Sequence, residues 1–580
     1  MDVLVANSVG VDRDGYHMVH VPSRWSLGVK NFTNCGYYPW QLAYTSSLLK
    51  RDTSHSIKFL DGVLRGWDVE TYLKHAGRPD WLVMESSTRT IREDLRFAKT
   101  LKENFGTRLI FTGQHPMAHP EEVLKIADHV CIGEYEFAVL NLVQGKDPQK
   151  IAGIYPNKRG NLIDINRLPF PEDDDVSRID YHEPNCRYKQ IQMYGSRGCP
   201  RRCNFCAAAT LYYDELNWRP RNVDDVVKEI QTLHEKYPEM EGVFFDEEVH
   251  NIKKSFNISL AKAIRQAGLQ DLKYEAMCEY ASLDEEAMEE MREAGYYKIR
   301  FGIETGSDRV AEKMTLGKKH DLKKLKSMVE YGKSIGMLFY GTISIGGLGS
   351  DKDEDQKTVD LVYDLAAKGW LDEIQVSINT PQPGTDFYDS CVEESLIPES
   401  NDWEGFDGNG HVVVNYPHYP AEEIQASFRN ALTAFDLGKG KAQEQAFAEN
   451  TNTSIIPARS RILILRCVRS WMIRLILENL HPKNKADVLG QDISLNDLKD
   501  ISGLEEFYSY GSGFFAAESF TSELIQELKD RQYDLVLIPV ANNHLEGFQN
   551  VLEVAHLIEP ANISYVYPEG CIQPLSKAHL

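Results

Sequence analysis

The sequence predicts an α/β protein built from three consecutive βα series. An open parallel sheet comes first, a partial barrel of six βα repeats second, and another open α/β unit last. Three observations carry this prediction. Short apolar runs alternate with helix-length stretches along nearly the whole chain, the pattern of parallel strands joined by crossover helices. Six such repeats fall between about residue 189 and residue 385, too few to complete an eight-fold barrel. A proline- and acid-rich joint, RLPFPEDDD at residues 167–175, separates the first two series and reads as a linker with little to bury.

In chain order, residues 1–150 offer VLVAN, IKFLDG, DWLVMES, RLIFTG and HVCIG as strands. WQLAYTSSLLKRD, DVETYLKHA, EDLRFAKTLKENFG and EEVLKIADH are the helices between them. Ligands of such sheets sit at the carboxyl ends of the strands. Residues 151–188 are expected to be linker. Residues 189–400 hold the barrel, with QIQMYGS, GVFFDEE, KYEAMCEY, YKIRFGIETG, LFYGTISIGG and EIQVSINTPQPGT as its strands. A polar helical extension is expected over 401–457 and an accessory α/β domain over 458–580. The strands of that domain are RILILR, ADVLG, YDLVLIPV and ISYVYPEG. GSGFF at 511–515 reads as a glycine turn, since no G-x-G-x-x-G accompanies it.

A length of 580 residues suits three or four units. The net charge of −23 argues against a nucleic-acid partner, because an acidic surface repels phosphate. Of 10 cysteines, seven are scattered singly, which is no disulfide framework. The first residues, MDVLVANSVGVDRDGYH, show no basic segment leading into an apolar core, so a reducing cytoplasmic setting is expected. Residues 461–480 are the most apolar stretch, but Arg461, Arg466, Arg469 and Arg474 interrupt it. A strand and an amphipathic helix follow from that, with peripheral membrane contact the minor alternative and no transmembrane segment.

The chemistry concentrates in GSRGCPRRCNFCAAAT, residues 195–210, where Cys199, Cys203 and Cys206 stand in a C-x3-C-x2-C pattern. A structural zinc site wants four closed ligands, and the nearest further candidates, Cys186 and His182, lie upstream across a strand. Four-iron four-sulfur clusters are normally held by four thiolates. Three leave one iron open to a substrate or cofactor, and Phe205 inside the second spacer would cover one cluster face.

C-x3-C-x-aromatic-C after the first strand of a βα series resembles the radical SAM superfamily. The resemblance implies a 4Fe-4S cluster whose open iron chelates the methionine end of S-adenosylmethionine, and reductive cleavage to a 5′-deoxyadenosyl radical. It also implies a place for further segments. VFFDEEVHN puts Asp246, Glu247 and Glu248 at the second strand end, where the methionine amino group is held. KIRFGIETGSD puts Glu304, Gly306 and Ser307 at the fourth, and GTISIGGLGS puts Gly346 and Gly347 after the fifth. TPQPGTDFY supplies Pro383, Gly384 and Thr385 at the sixth. Any one of these acids alone reads as a solvated strand end; together they read as a site.

A flavodoxin-like (Rossmann-type) domain ahead of such a barrel resembles the cobalamin-binding members of the superfamily. YPWQLAYTSSLL at 38–49, TGQHPMAHPEEVL at 112–124 and CIGEYEFAVLNLV at 131–143 carry that resemblance. It implies corrinoid contacts at Asp61, Ser86, Gly113, Gly133 and Glu134. DGVLRG, residues 61–66, has the Asp and Gly of a D-x-H-x-x-G mutase motif but Val63 in the histidine position, and an isopropyl group cannot ligate cobalt. Gln114 replaces the second glycine of the loop motif, and His115 and His119 lie in the same loop. The implied activity is cobalamin-dependent methylation of an unactivated carbon on a small molecule, fed by a flavodoxin- or ferredoxin-type electron donor. The alternatives are a radical cyclase, rearrangement or oxidative enzyme, and a non-catalytic cobalamin or metal sensor. The C-terminal pattern is loosely similar to half of a nucleotide-sugar glycosyltransferase, and a docking or recognition role follows.

Overall fold

The computed structural model describes residues 1–11, 36–213, 215–316, 320–397, 403–408, 411–498, 501–511, 515–541 and 548–575, with the backbone of 18–19 and 29–30. It divides into two compact units. One comprises residues 1–365 and 370–435, the other residues 366–369 and 436–580.

The first unit begins with a five-stranded parallel sheet of β1 (Asp2–Ala6), β2 (Ser56–Leu60), β3 (Trp81–Glu85), β4 (Arg108–Thr112) and β5 (His129–Val130). The strand order is β2-β1-β3-β4-β5. This is the flavodoxin order, and its topological switch point lies between β1 and β3. All five residues of β3 are buried, as expected of a strand covered by helices on both faces. Leu4, Leu82, Met84, Phe97, Leu101, Leu109 and Phe111 build one side of that core, each side chain adding about 1.5–3 kcal/mol of burial.

The expected linker is instead a packed strap. The Glu172 carboxylate, fully buried, accepts from Ser46 Oγ at 2.5 Å and from Lys50 Nζ at 2.8 Å. It also accepts from the backbone N–H groups of Asp174 and Asp175. Arg178, 2% exposed, donates to Glu229 at 2.6 Å and to the Gln192 carbonyl at 2.9 Å. Glu172 therefore clips the strap to the helix Trp40–Asp52, and Arg178 clips it to the barrel. The sequence reads as a linker there because the partners of Glu172 on that helix lie more than 100 positions away.

The barrel strands are β6 (Gln190–Met193), β7 (Gly242–Phe245), β8 (Lys273–Cys278), β9 (Tyr296–Glu304), β10 (Leu338–Ile345) and β11 (Glu373–Ile378). They pair in parallel and in strict succession, a partial barrel open between β6 and β11. The early part of β9 carries Lys298 and Arg300, buried and paired with Glu275; Arg300 also meets Glu183 at 2.7 Å. The site residues lie at the other, carboxyl ends.

The second unit holds β12 (Arg461–Leu465), β13 (Lys485–Gly490), β14 (Leu504–Ser509), β15 (Leu535–Pro539), β16 (Ile563–Val566) and β17 (Ile572–Pro574). Their order is β14-β13-β12-β15-β16-β17, with only β17 antiparallel. This is the Rossmann order 3-2-1-4-5-6. The helix Ser470–Asn479 follows β12, and no helix among the described residues is long and apolar enough to cross a membrane. Residues 512–514 of the glycine turn lie outside the described residues.

Candidate active site

The cysteine loop leaves β6 through Ser196–Arg197, which pairs antiparallel with Arg219–Pro220. That ribbon brackets the loop at both ends. Gly198 has φ +94°, and a Cβ there would lie 2.0 Å from Asn217 Oδ1, so only glycine fits the turn. The Cys206 N–H donates to the Cys203 carbonyl at 3.0 Å, and the Asn204 N–H to the Met314 carbonyl at 3.1 Å. Cys203 and Phe205 pack on Val310, Ala311, Met314 and Leu316. Phe205 also lines a cleft with Glu304, Thr342, Ser344, Gln375 and Asn379.

All three cysteines are half-buried and none is in a disulfide. Burial, then the neighbouring Cys206, pushes the Cys199 thiol up to about 12. Burial raises the Cys206 thiol too, with Glu248 and Glu304 adding to it. Thiols raised by burial in this way ionise readily only against positive charge, which is what metal–sulfur binding supplies. Among the described residues, no three Cys, His, Asp or Glu side chains are set to hold a single metal ion. Cys186 accepts from Arg300 Nη2 in the β9 network, so it is engaged elsewhere.

At the strand ends the structure separates the expected residues into two groups. Glu304 lines the cleft and has φ +63° at a register shift between β9 and β10. A bulge and a positive φ together re-aim a side chain at a cost of roughly 1–3 kcal/mol, a strain that collects at functional sites. Glu248 accepts from the Tyr213 hydroxyl at 2.7 Å and from the Gly198 N–H at 3.1 Å. It thus sits against the cysteine loop. Asp246 is buried at the end of β7.

The others hold the frame. Glu247, fully buried, accepts from the Gly195 N–H at 3.1 Å and Ser196 Oγ at 3.3 Å, and lies 2.6 Å from His250 Nδ1. Of the two adjacent acids, Glu248 is the one beside the cysteines. Ser307 caps the helix Asp308–Lys313. A Cβ on Gly306 would meet the Lys357 carbonyl at 2.5 Å, one on Gly346 would meet Ile424 at 2.9 Å, and one on Gly347 would meet Met314 Sδ at 2.5 Å. These glycines admit neighbouring protein. Gly384 (φ +80°) admits Leu211 and Ala118 in the same way.

In the N-terminal sheet, the loops after β1 and β3 form the switch-point face. Asp94 organises both. It accepts from Ser8 Oγ, the Val9 N–H, Thr90 Oγ1 and, at 2.5 Å, Ser86 Oγ. Burial nevertheless pushes its carboxyl up to about 6. Gly113 (φ +98°) lets the loop after β4 approach β3, where a Cβ would lie 2.4 Å from the Ser86 carbonyl. Nearby, Thr88 Oγ1, Thr112 Oγ1, both amide atoms of Gln114 and His115 Nδ1 are buried without a hydrogen-bond partner. Orphaned buried polar atoms of this kind call for a partner that the protein itself does not supply. Asp61 is spent internally: it caps Leu64 and accepts from Asn7 Nδ2 and the Tyr181 hydroxyl, both at 3.0 Å. It follows β2, one strand away from the switch point.

Gly133 and Glu134 join the two halves of the unit. Glu134 accepts from Arg197 at 3.0 Å and from Arg219 at 2.9 Å, the two arginines of the ribbon. Glu136 takes Arg197 at 2.7 Å. A Cβ on Gly133 would press on Arg159 at 2.6 Å. The loop after β5 thus grips the cysteine loop's stem.

A model of the radical SAM superfamily matches residues 193–362. Those residues form a radical SAM domain. The match covers the cysteine loop and β7 to β10. Such a domain implies a four-iron four-sulfur cluster and S-adenosylmethionine as cofactors, and makes the chain an enzyme. An uncharacterized methyltransferase of Pyrococcus horikoshii is 26% identical over 420 residues, 69% of this chain and 88% of its own length. Cytidylyl-2-hydroxyethylphosphonate methyltransferase of Streptomyces wedmorensis is 27% identical over 272 residues, 45% of this chain; the chain spans half of that relative's length. The radical S-adenosylmethionine methyltransferase TsrM of Kitasatospora setae, solved with cobalamin and a [4Fe-4S] cluster, superposes with a TM-score of 0.55 at 13% identity. It covers 75% of this chain and 88% of its own, and at that identity the likeness establishes the fold.

Proposed function

We propose that this radical SAM enzyme is a cobalamin-dependent methyltransferase acting on an unactivated carbon of a small molecule. The observation that carries the reading is the joint. The orphaned polar face of a flavodoxin-order sheet and the cysteine loop belong to one compact unit, locked together through Arg197 and Glu134. When bound, the cluster with S-adenosylmethionine supplies a 5′-deoxyadenosyl radical, and the corrinoid supplies a methyl group. The chain's own residues do the rest. Gly113 lets the loop after β4 close on β3 at the switch point, Gln114 and His115 would offer polar atoms to the corrinoid amides, and Glu248 and Glu304 are the carboxylates that would take the methionine amino group. Phe205 shields the cysteines from the side of the cleft. Val63 lies on a capped turn after β2, which fits a corrinoid without a histidine from the D-x-H-x-x-G position.

A reductant is required; one of flavodoxin or ferredoxin type, in a reducing cytoplasmic compartment, fits the low-potential chemistry. The test is anaerobic turnover of cluster-reconstituted, hydroxocobalamin-loaded protein with isotopically methyl-labelled S-adenosylmethionine and a panel of small-molecule acceptors. Label in an acceptor together with 5′-deoxyadenosine supports the proposal. Deoxyadenosine without methyl gain would reassign the enzyme to cyclisation or rearrangement, and no cleavage at all would leave a sensor.

A further inference from the structure

We infer that the adjacent phenols Tyr212 and Tyr213 couple the two cofactor sites, with Tyr212 the positioning residue that reports the state of the switch-point face to the cysteine loop. The inference rests on the cobalamin reading above.

Two residues after Cys206 the chain enters a π-helix, Ala208–Tyr213. π-Helical turns are rare and concentrate at functional sites. This one ends on two buried tyrosines whose ring centroids are 6.4 Å apart. Their hydroxyls go opposite ways. Tyr212 donates to Glu85 Oε1 at 3.1 Å, and Glu85 is the last residue of β3, beside the Gly113 turn. Tyr213 donates to Glu248 Oε1 at 2.7 Å, whose other oxygen accepts from the Gly198 N–H next to Cys199. One short segment therefore touches a carboxyl of the corrinoid-type sheet and a carboxylate of the barrel, and its own first turn is continuous with a cysteine ligand.

The segment is also held on its flank. Arg159 Nη1 donates to the Thr210 carbonyl at 2.9 Å, and Leu211 fills the space over Gly384. It can shift only with the loops it touches. A corrinoid seated against β3 would fix Glu85, hence Tyr212, hence the register in which Tyr213 presents Glu248. Such coupling is reciprocal and typically amounts to about 5–150-fold in affinity. Glu85 keeps a second phenol, Tyr135, at 2.9 Å, which lies outside the π-helix and provides the control.

The experiment measures the dissociation constant of S-adenosylmethionine, from its effect on the electron paramagnetic resonance spectrum of the reduced cluster, with and without hydroxocobalamin. The wild-type ratio is expected to be about fivefold or more. Tyr212→Phe should bring it below about twofold with cluster iron retained, Tyr213→Phe should do the same while weakening S-adenosylmethionine in both states, and Tyr135→Phe should preserve the ratio. Glu85→Met cuts the Tyr212 contact from the sheet side and should reproduce the loss should Tyr212→Phe fold poorly. A wild-type ratio near one, an unchanged ratio in Tyr212→Phe, or an equal loss in Tyr135→Phe overturns the coupling. Failure of the wild type to bind hydroxocobalamin at all overturns the cobalamin reading, and the coupling with it.

Discussion

Replacing Arg197 by Met should destabilise the first unit by about 3–5 kcal/mol at pH 8, the cost of stranding a buried charge by removing its partner. Arg197 is 2% exposed and faces Glu134 at 3.0 Å and Glu136 at 2.7 Å. The two acids fare differently. Glu134 keeps Arg219 and the Ile163 N–H. Glu136 is fully buried, and its second oxygen already has no hydrogen-bond partner, so most of the penalty falls on it. Burial already raises its carboxyl, against the pull of Arg197. A raised carboxyl is stabilising while protonated and loses that contribution as pH climbs through its folded-state value. Without the arginine that value climbs further, so the deficit should shrink at pH 5.5 and grow toward pH 8. Adding Glu136→Gln should recover at least about 2 kcal/mol as a double-mutant coupling. Urea titration with hydrogen exchange read over residues 195–220 separates this unit from the C-terminal one. A loss under about 1 kcal/mol, or a deficit that grows on acidification, would refute the reasoning.

Glu85 offers a second titration. Its buried carboxyl is pushed up to about 7, so the stability it contributes below the ordinary carboxylate range is lost as pH rises through 7. That amounts to about 3 kcal/mol. Glu85→Gln should therefore gain on the wild type between pH 4.5 and 8, and a pH-independent difference contradicts this. Gly113→Ala forces a Cβ to within 2.4 Å of the Ser86 carbonyl at φ +98° and should cut hydroxocobalamin binding at least about tenfold. Gly66→Ala, at φ +62° with nothing within 4 Å, should cost about 1–2 kcal/mol and leave binding intact. Equal effects of the two substitutions on binding would remove Gly113 from the site.

The order of βα repeats was legible because strand and helix periods alternate cleanly, as in Trp40–Asp52, where the sequence and structural limits coincide. Two strands of the last sheet escaped. In β14 the adjacent, exposed Glu505 and Glu506 break the apolar run, and β17 is a three-residue edge. The cysteine trio stands out in the sequence by its spacing. Its supports do not, because they are long-range: Asp94 reaches back 86 positions to Ser8, and Tyr212 reaches 127 to Glu85. Motif glycines marked the right loops, but Gly306, Gly346 and Gly347 pack against Lys357, Ile424 and Met314. A glycine in a sequence cannot say whether protein or ligand comes close. Likewise Glu247 and Glu248 are indistinguishable as letters, and only the fold turns one toward His250 and the other toward Gly198.

The proposal turns on three thiolates, joined by no fourth ligand from the described residues, holding an iron–sulfur cluster open to S-adenosylmethionine. The most direct measurement is anaerobic reconstitution of wild type, Cys199→Ala, Cys203→Ala, Cys206→Ala and Cys186→Ala. Bound iron and reductive cleavage of S-adenosylmethionine are scored on each. About four irons per chain and cleavage in the wild type and Cys186→Ala, with both lost in the other three, is the result this account predicts. Iron and cleavage that survive loss of Cys203, or that vanish with Cys186, would contradict it.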